Sequence, residues 1–294
     1  MGGQLLTMRL DGGVTHLGPG FPPWTVIMPV KPLALAKSRL AGSSAVSGAV
    51  LAEAFFQDAL DAVLACPLVG RVVVATTDPR IAAYAGAWDC IVVPDGDHPG
   101  INEAARFAAR HAPEDAPVAV VVSDLPCLTP SSMAATLSLA AEHRTAFLAD
   151  SAGTGTTMWL AAPGVAVASQ FGSDSAAAHR AAGHTDLAAG SHEPSELEPA
   201  RLDVDIESDL DGARRLGLGA HTRVALDRPT VAECIVTVMP ADSGTAVPAV
   251  REDGSRLRIP LDVATLAGFR ALHPGQRLVV RTDRSGVVTS ARLP

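Results

Sequence analysis

The chain has 294 residues, 48% of them hydrophobic and 18% charged, which supplies a large core and excludes global disorder. Its net charge of −8 argues against a protein that coats nucleic acid, so an anionic substrate needs a local cationic pocket or a metal. No apolar run reaches the roughly 20 residues of a membrane span, and Cys66, Cys90, Cys127 and Cys234 lack the C-x-x-C spacing of a metal knuckle, which reads as free thiols in a cytoplasmic protein.

Residues 1–23 hold Gly-Gly, Gly-Pro-Gly and Pro-Pro without an apolar signal core and are expected to be a flexible tail, with Met8 a second candidate start. From Trp24 the pattern becomes regular. Val26, Ile27, Met28 and Val30 predict a strand covered on both faces, ended by Pro29 and Pro32. A basic loop follows, with Lys31, Lys37, Ser38 and Arg39. Ser47 can cap a helix to about Ala65, in which Leu51, Phe55, Ala59 and Ala62 repeat at helical spacing. Strands are then expected at Arg71–Thr77, Cys90–Val93 and Pro117–Val122, with helices at Ile81–Ala87, Ile101–His111 and Pro130–His143. This alternation means βαβ units and a mostly parallel sheet with helices on both faces. Further on, Thr145–Ala149 and Thr156–Ala161 read as strands, Phe171–Ser175 opens a helix of about ten residues, and Leu187–Pro199 reads as a loop. Arg201–Ile206 reads as a last strand and Glu207–Leu216 as a helix stopped by Gly217 and Gly219.

The character changes after that. Residues 24–219 read as one α/β domain, 220–229 as a linker, and 230–294 as a small all-β domain punctuated by Asp253-Gly254, Pro274-Gly275 and Ser285-Gly286.

Three cations just past the first strand stand where open α/β sheets bind anions, although a solvated surface loop would look the same. Asp124 ends the most apolar strand, as either a turn cap or a ligand. Asp203 and Asp205, at i and i+2, would share one face of a strand and repel unless a cation sits between them; a hard ion such as Mg²⁺ suits them. Gly153-Thr-Gly-Thr-Thr157 and Phe171-Gly-Ser-Asp-Ser175 offer backbone amides and hydroxyls to a second anion. Asn102, at the start of a helix, could cap it or read a base. The histidines show no metal spacing; His98, His111, His143 and His179 read as structural or surface residues. There is no G-x-S-x-G elbow and no Walker A sequence. Transfer of a nucleotidyl group between two anions needs this set and no protein nucleophile.

Taken together, Pro29-Val-Lys31, Ala36-Lys-Ser-Arg-Leu40, Ser123-Asp-Leu-Pro126, Gly153-Thr-Gly-Thr-Thr157, Phe171-Gly-Ser-x-Ser175 and Asp203-x-Asp205 resemble the 2-phospho-L-lactate/phosphoenolpyruvate guanylyltransferase family, over about Trp24 to Leu218. The resemblance implies a nucleotide-diphosphosugar transferase-type fold. It implies an enzyme of deazaflavin coenzyme synthesis that joins GMP from GTP to a phosphorylated three-carbon acid, phosphoenolpyruvate or 2-phospho-L-lactate, with release of pyrophosphate. It implies that Lys31, Lys37, Ser38 and Arg39 bind the GTP phosphates, with Asn102 near the nucleoside. Asp124, Asp203 and Asp205 would hold Mg²⁺, Lys37 and Asp124 would be catalytic, and Thr157, Gly172 and Ser175 would surround the acid. The Leu187–Pro199 stretch is longer and more acidic than the family pattern.

The last domain lies outside that family. Gly268-Phe-Arg-Ala-Leu-His-Pro-Gly-Gln-Arg-Leu278 and Val287–Arg292 resemble the end of a cold-shock-type OB barrel. The aromatic stacking motif is missing, so nucleic acid is not the expected partner and docking or homodimerisation stays open. Two rival readings remain: a nucleotidyltransferase for another acceptor, such as a sugar phosphate or a molybdopterin, and a nucleic-acid-binding protein with a degenerate transferase domain. Intact Lys37, Asp124 and Asp205 count against degeneration.

Overall fold

Trp24–Pro29 forms β1, buried along its whole length between two parallel neighbours, β2 (Val69–Ala75) and β4 (Val118–Val121). The computed structural model describes residues 21–33, 46, 48–95, 100–189, 194–227, 232–240, 245–252, 254–282 and 287–294. Lys37, Ser38, Arg39, Ser47 and His98 lie outside them, as does most of the expected tail. Two further strands of the first half are β3 (Ile91–Val93), parallel to β2, and β6 (Thr156–Ala161), antiparallel to β4. With β5 (Thr145–Ala149) and β7 (Thr185–Asp186) they make a seven-stranded sheet in the order β3-β2-β1-β4-β6-β5-β7.

The continuous apolar run of β1 has a direct cause: both faces of the sheet are covered. Val26 and Met28 pack with α1 (Gly48–Leu64), α2 (Pro79–Gly86), α4 (Pro130–Ala140) and α6 (Pro194–Arg201). Ile27 points the other way, to α3 (Ile101–Ala108) and α5 (Ser175–Ala181). A second layer lies behind α1. Leu51 and Phe55 meet Leu210 and Ala213 of α7 (Glu207–Leu216), and Ala225 of α8 (Ala220–Asp227).

The structure departs from the sequence reading at several places. The stretch 220–227, expected to begin a linker, is the helix α8, and the chain divides into compact units at Leu226/Asp227. Its anchor is Asp58, whose carboxylate accepts the N–H groups of His221 (2.8 Å) and Thr222 (2.9 Å) at the amino end of α8. Gly219 passes so close to this carboxylate that a Cβ there would collide with it. The polar stretch 187–199, expected to be a loop, contains the helix α6; Leu197 and Ala200, three apart, bury one face while Glu196 and Glu198 mark the other. Residues 202–205, expected to lie within a strand, join no ladder, and the N–H of Val204 donates to the Asp124 carbonyl at 3.2 Å. Val204 is buried as the alternation suggested, but Ile206 is 43% exposed. The helix at Ser175 has seven residues rather than ten. All four cysteines are free; Cys66 and Cys127 are buried, Cys90 and Cys234 partly so.

The second unit, Asp227–Pro294, is a five-stranded antiparallel sheet in the order β10-β9-β8-β11-β12, formed by β8 (Ala232–Val238), β9 (Ala246–Arg251), β10 (Arg256–Pro260), β11 (Arg277–Thr282) and β12 (Val288–Arg292). A short helix that the sequence reading did not anticipate, α9 (Leu261–Leu266), joins β10 to β11. Alternate residues Val236, Val238, Leu278 and Val280 fill its own core.

Replacing Asp58 by alanine leaves two helix-terminal N–H groups without their acceptor. The expected cost is about 2 kcal/mol of stability, with turnover per folded molecule retained because Asp58 lies on the buried side of α1. Denaturant midpoints and specific activity check this; an unchanged midpoint would show that α8 does not depend on the cap.

Candidate active site

Strands β1, β2 and β3 step one way across the sheet and β4 starts the other way, so the carboxyl edge between β1 and β4 is the switch point at which open α/β sheets form a crevice. A cleft of about 330 Å³ opens there. Lys31 enters it from the end of β1, Asp124 from the end of β4, and Asp203 and Asp205 from the extended segment after α6. The amino end of α3, with Gly100 and Ile101, forms another wall. The loop leaving β1 is tied down beside the cleft: the N–H of Leu33 donates to Asp78 at 2.9 Å, and the same carboxylate caps α2 through Arg80 and Ile81.

The structure thus brings Lys31, Asp124, Asp203 and Asp205 together, without the strand geometry expected for the last two. It also adds a carboxylate that the sequence reading passed over. Asp150 ends β5 and accepts the N–H groups of Thr154 (2.9 Å) and Gly155 (2.8 Å), which folds the Gly153-Thr-Gly155 loop back on itself. A side chain at Gly155 would run into that carboxylate. Arg201, at the end of α6, donates to the carbonyls of Ala149 (3.0 Å) and Asp150 (2.8 Å) and pairs with Glu198 (2.9 Å). One guanidinium therefore fixes the end of β5 against the segment that carries Asp203. The signal was present: Asp150, like Asp124, is an aspartate just past the carboxyl end of a buried strand.

The electrostatic result is plain. Burial pushes the carboxyl of Asp203 up to about 7, and the neighbouring charges of Asp124, Asp205 and Asp150 push in the same direction. Such crowding of like charge is what a bound cation relieves. Among the described residues, no three His, Cys, Asp or Glu side chains are placed to hold a metal by themselves.

The sequence and its fold can now be set beside known proteins. Residues 49–194 match the MobA-like NTP transferase domain. A phosphoenolpyruvate guanylyltransferase of Streptomyces coelicolor is 41% identical over 214 residues, covering 71% of this chain and 98% of the relative. One from Salinispora arenicola is 44% identical over 202 residues, 68% of this chain and 91% of the relative. The chain belongs to the phosphoenolpyruvate guanylyltransferase family. It is a nucleotidyltransferase, as the sequence reading held. Among solved structures, a nucleotidyl transferase from Methanothermobacter aligns at 17% identity over 66% of this chain and 96% of that one, with a TM-score of 0.46.

In this member of the family Asn102 does not act as the helix cap considered above; the cap position is Gly100, with no side-chain cap. The amide of Asn102 is occupied. Its Oδ1 accepts from the Ser169 hydroxyl (3.0 Å) and the Phe171 N–H (2.9 Å), and its Nδ2 donates to the Phe171 carbonyl (2.9 Å). It holds the strap that leads into Gly172 and Ser175. Thr157 and Ser175 are buried, Thr157 on β6 and Ser175 at the start of α5, and Gly172 has a φ of 148°. His179 fastens the same strap. Its Nε2 accepts the Gln170 N–H at 2.9 Å, which places the ring proton on Nδ1, 3.0 Å from the Thr156 hydroxyl. Burial, with His184 beside it, lowers its pKa to about 4, so it is a neutral structural residue, as expected. No helix among the described residues is long and apolar enough to cross a membrane.

Asp203 sets a pH dependence of defined sign. The folded state binds its proton more tightly than the unfolded one, because its pKa rises from 3.8 to about 7. That contribution to stability is full below the unfolded value and is lost as pH rises through the folded one. Metal-free wild-type protein should therefore lose stability between about pH 4 and pH 7 relative to Asp203→Asn, by on the order of 2 kcal/mol after allowance for solvent access, and level off above that. Denaturant midpoints in a chelating buffer measure this; parallel curves for the two proteins would contradict the assignment.

Proposed function

We propose that the protein transfers the GMP moiety of GTP to phosphoenolpyruvate, or to the closely similar 2-phospho-L-lactate, and releases pyrophosphate. The observation that carries the reading is the juxtaposition of Lys31 with Asp124, Asp203 and Asp205 in one cleft at the switch point of the sheet. The curated relatives at 41–44% identity, each named a phosphoenolpyruvate guanylyltransferase, support phosphoenolpyruvate as the first acceptor to test.

The donor set fits Mg²⁺. Asp124, Asp203 and Asp205 are hard carboxylates, and Mg²⁺ is usually held by one or two carboxylates with substrate phosphate oxygens and water completing its shell, so a full protein cage is not required. When bound, the ion would stabilise charge developing at the reacting phosphorus. The residues of the chain do the rest. Lys31, with Lys37 and Arg39, neutralises the triphosphate, and Ser38 donates a hydrogen bond to it. Lys37 and Asp124 act at the reacting phosphorus. Thr157, Gly172 and Ser175 receive the phosphorylated acid; Asn102 and His179 hold that wall, and Arg201 holds the segment that carries Asp203. The acceptor's own phosphate oxygen attacks, so no side chain forms a covalent intermediate.

With Mg²⁺ and GTP, pyrophosphate should appear only when a phosphorylated three-carbon acid is present, and Asp124→Asn should lower the rate by a factor of 100 or more with the fold intact. Turnover with a sugar phosphate and none with phosphoenolpyruvate, 2-phospholactate or 3-phosphoglycerate would overturn the reading.

We also propose that residues 230–294 form an OB-like barrel. Its strand order, with a helix between the third and fourth strands and its edge strands β10 and β12 near one another, supports this. Exposed arginines such as Arg277 and Arg281 are partly neutralised by Glu252 and Glu233, and single strands find no aromatic stacking platform. A chain ending at Leu226 should keep pyrophosphate release, and the full-length protein should bind single-stranded nucleic acid only weakly and at low salt. A folded truncation without turnover would place the second unit in the active site, and tight, salt-resistant binding would place nucleic acid among its ligands.

A further inference from the structure

Resting on the reading of Asp124, Asp203 and Asp205 as the carboxylates that hold the metal, we propose that Gly219 is a positioning residue of the active site, acting through the Pro126 carbonyl. The turn Asp124-Leu-Pro-Cys127 leaves β4 toward α4, and its backbone is tied at each step. The Asp124 carbonyl accepts the Val204 N–H at 3.2 Å, the Leu125 carbonyl accepts the Leu128 N–H at 3.1 Å, and the Pro126 carbonyl accepts the Gly219 N–H at 2.8 Å. The Cys127 thiol donates to the Ala213 carbonyl of α7 at 3.4 Å. Val204 stands between Asp203 and Asp205. The three carboxylates therefore hang on one turn, and the shortest of its backbone bonds comes from Gly219, which does not line the cleft.

The sequence needs glycine there for a reason that lies in α8. Gly219 immediately precedes this helix, and its carbonyl accepts the Arg223 N–H at 3.1 Å. A residue in that place ordinarily caps the helix with its own side chain. Here the cap comes from α1, because Asp58 accepts the N–H groups of His221 and Thr222. The Asp58 carboxylate fills the space that a side chain at 219 would take: a Cβ would meet its carboxyl carbon and both of its oxygens. Asp58 is itself buried and has little room to swing aside. A larger residue at 219 must back away from it, and its N–H then leaves the place that the Pro126 carbonyl requires.

The consequence reaches the chemistry. Moving the turn changes the spacing of Asp124 from Asp203 and Asp205, since Val204 is bonded to the Asp124 carbonyl. A misplacement of about 1 Å in a positioning element costs on the order of 100-fold in rate.

The test compares full-length wild type, Gly219→Ala and Asp58→Ala/Gly219→Ser. The double variant removes the obstacle and moves the cap to position 219, where serine is a preferred capping residue. Pyrophosphate release from GTP and phosphoenolpyruvate is measured per folded molecule. Titration with Mn²⁺, followed by the paramagnetic signal of the free ion, reads the carboxylates without turnover; Mn²⁺ suits the same oxygen ligands as Mg²⁺. Gly219→Ala should lose on the order of 10- to 100-fold in kcat and bind Mn²⁺ more weakly. Asp58→Ala/Gly219→Ser should recover both. Wild-type turnover and Mn²⁺ affinity in Gly219→Ala, with only a lower denaturant midpoint, would overturn the assignment, and so would a loss that the double variant fails to recover. If Gly219→Ala does not fold, Asp58→Glu, whose longer side chain presses on the same glycine, takes its place under the same outcomes. Wild-type protein that binds Mn²⁺ but releases no pyrophosphate would sink the reaction reading alone, and the titration then decides this assignment. Wild-type protein that binds no Mn²⁺ would overturn both.

Discussion

Burying β1 on both faces decides where chemistry can happen. A strand that packs Val26 and Met28 into one layer and Ile27 into the other has no free face for a polar group. Only the carboxyl edge remains, where Pro29 ends the ladder and the chain must leave the sheet. Asp124 stands at the same edge one strand over, and Asp95 beyond β3. The cleft is thus a consequence of the two-sided core, because the strands that feed it are buried on both faces up to their carboxyl ends.

That placement creates a conflict of charge. Asp124, Asp203, Asp205 and Asp150 crowd one edge, and the chain holds them there with backbone donors and one arginine. Arg201 binds main-chain carbonyls together with Glu198, so it fixes the geometry from behind and leaves the crowding in place. The neutral His179 works in the same way on the opposite wall. A charged imidazole there could not accept the Gln170 N–H, and burial keeps the ring uncharged at any pH well above 4. The supports of the site are silent electrostatically, which leaves its field to the aspartates and the lysine that face the cleft.

The parallel core and the order of its elements were legible because they rest on periodicity: β1, β2, β4 and the helices between them appear within a few residues of their expected bounds. The errors have physical reasons. Residues 201–206 alternate as a strand does, but period two says nothing about whether an edge is free to pair, and Val204 bonds the Asp124 carbonyl without joining a ladder. The polar composition of 194–201 hid α6, whose two buried positions are only Leu197 and Ala200. α8 looked like a linker because its stability comes from Asp58, more than 160 residues away in the chain. Among the site residues, Lys31, Asp124, Asp203 and Asp205 were found from strand ends and charge. Arg201 was not, since a guanidinium on carbonyls is a property of packing.

Lys31 and Lys37 are the only lysines in the chain, and every other cation counted with them is an arginine. The arginines in the described structure behave as their forked shape predicts: Arg201 bridges two carbonyls and Glu198, Arg180 closes on Asp186, and Arg281 on Glu233. A planar fork placed beside four crowded aspartates would be captured by them in the same bidentate manner. An ammonium is a compact, strongly hydrated point charge on a flexible stem, and it can leave a carboxylate for a phosphate as the ligand arrives. Lys31 therefore gives the cleft an exchangeable cation, while the arginines named above act as fixed braces.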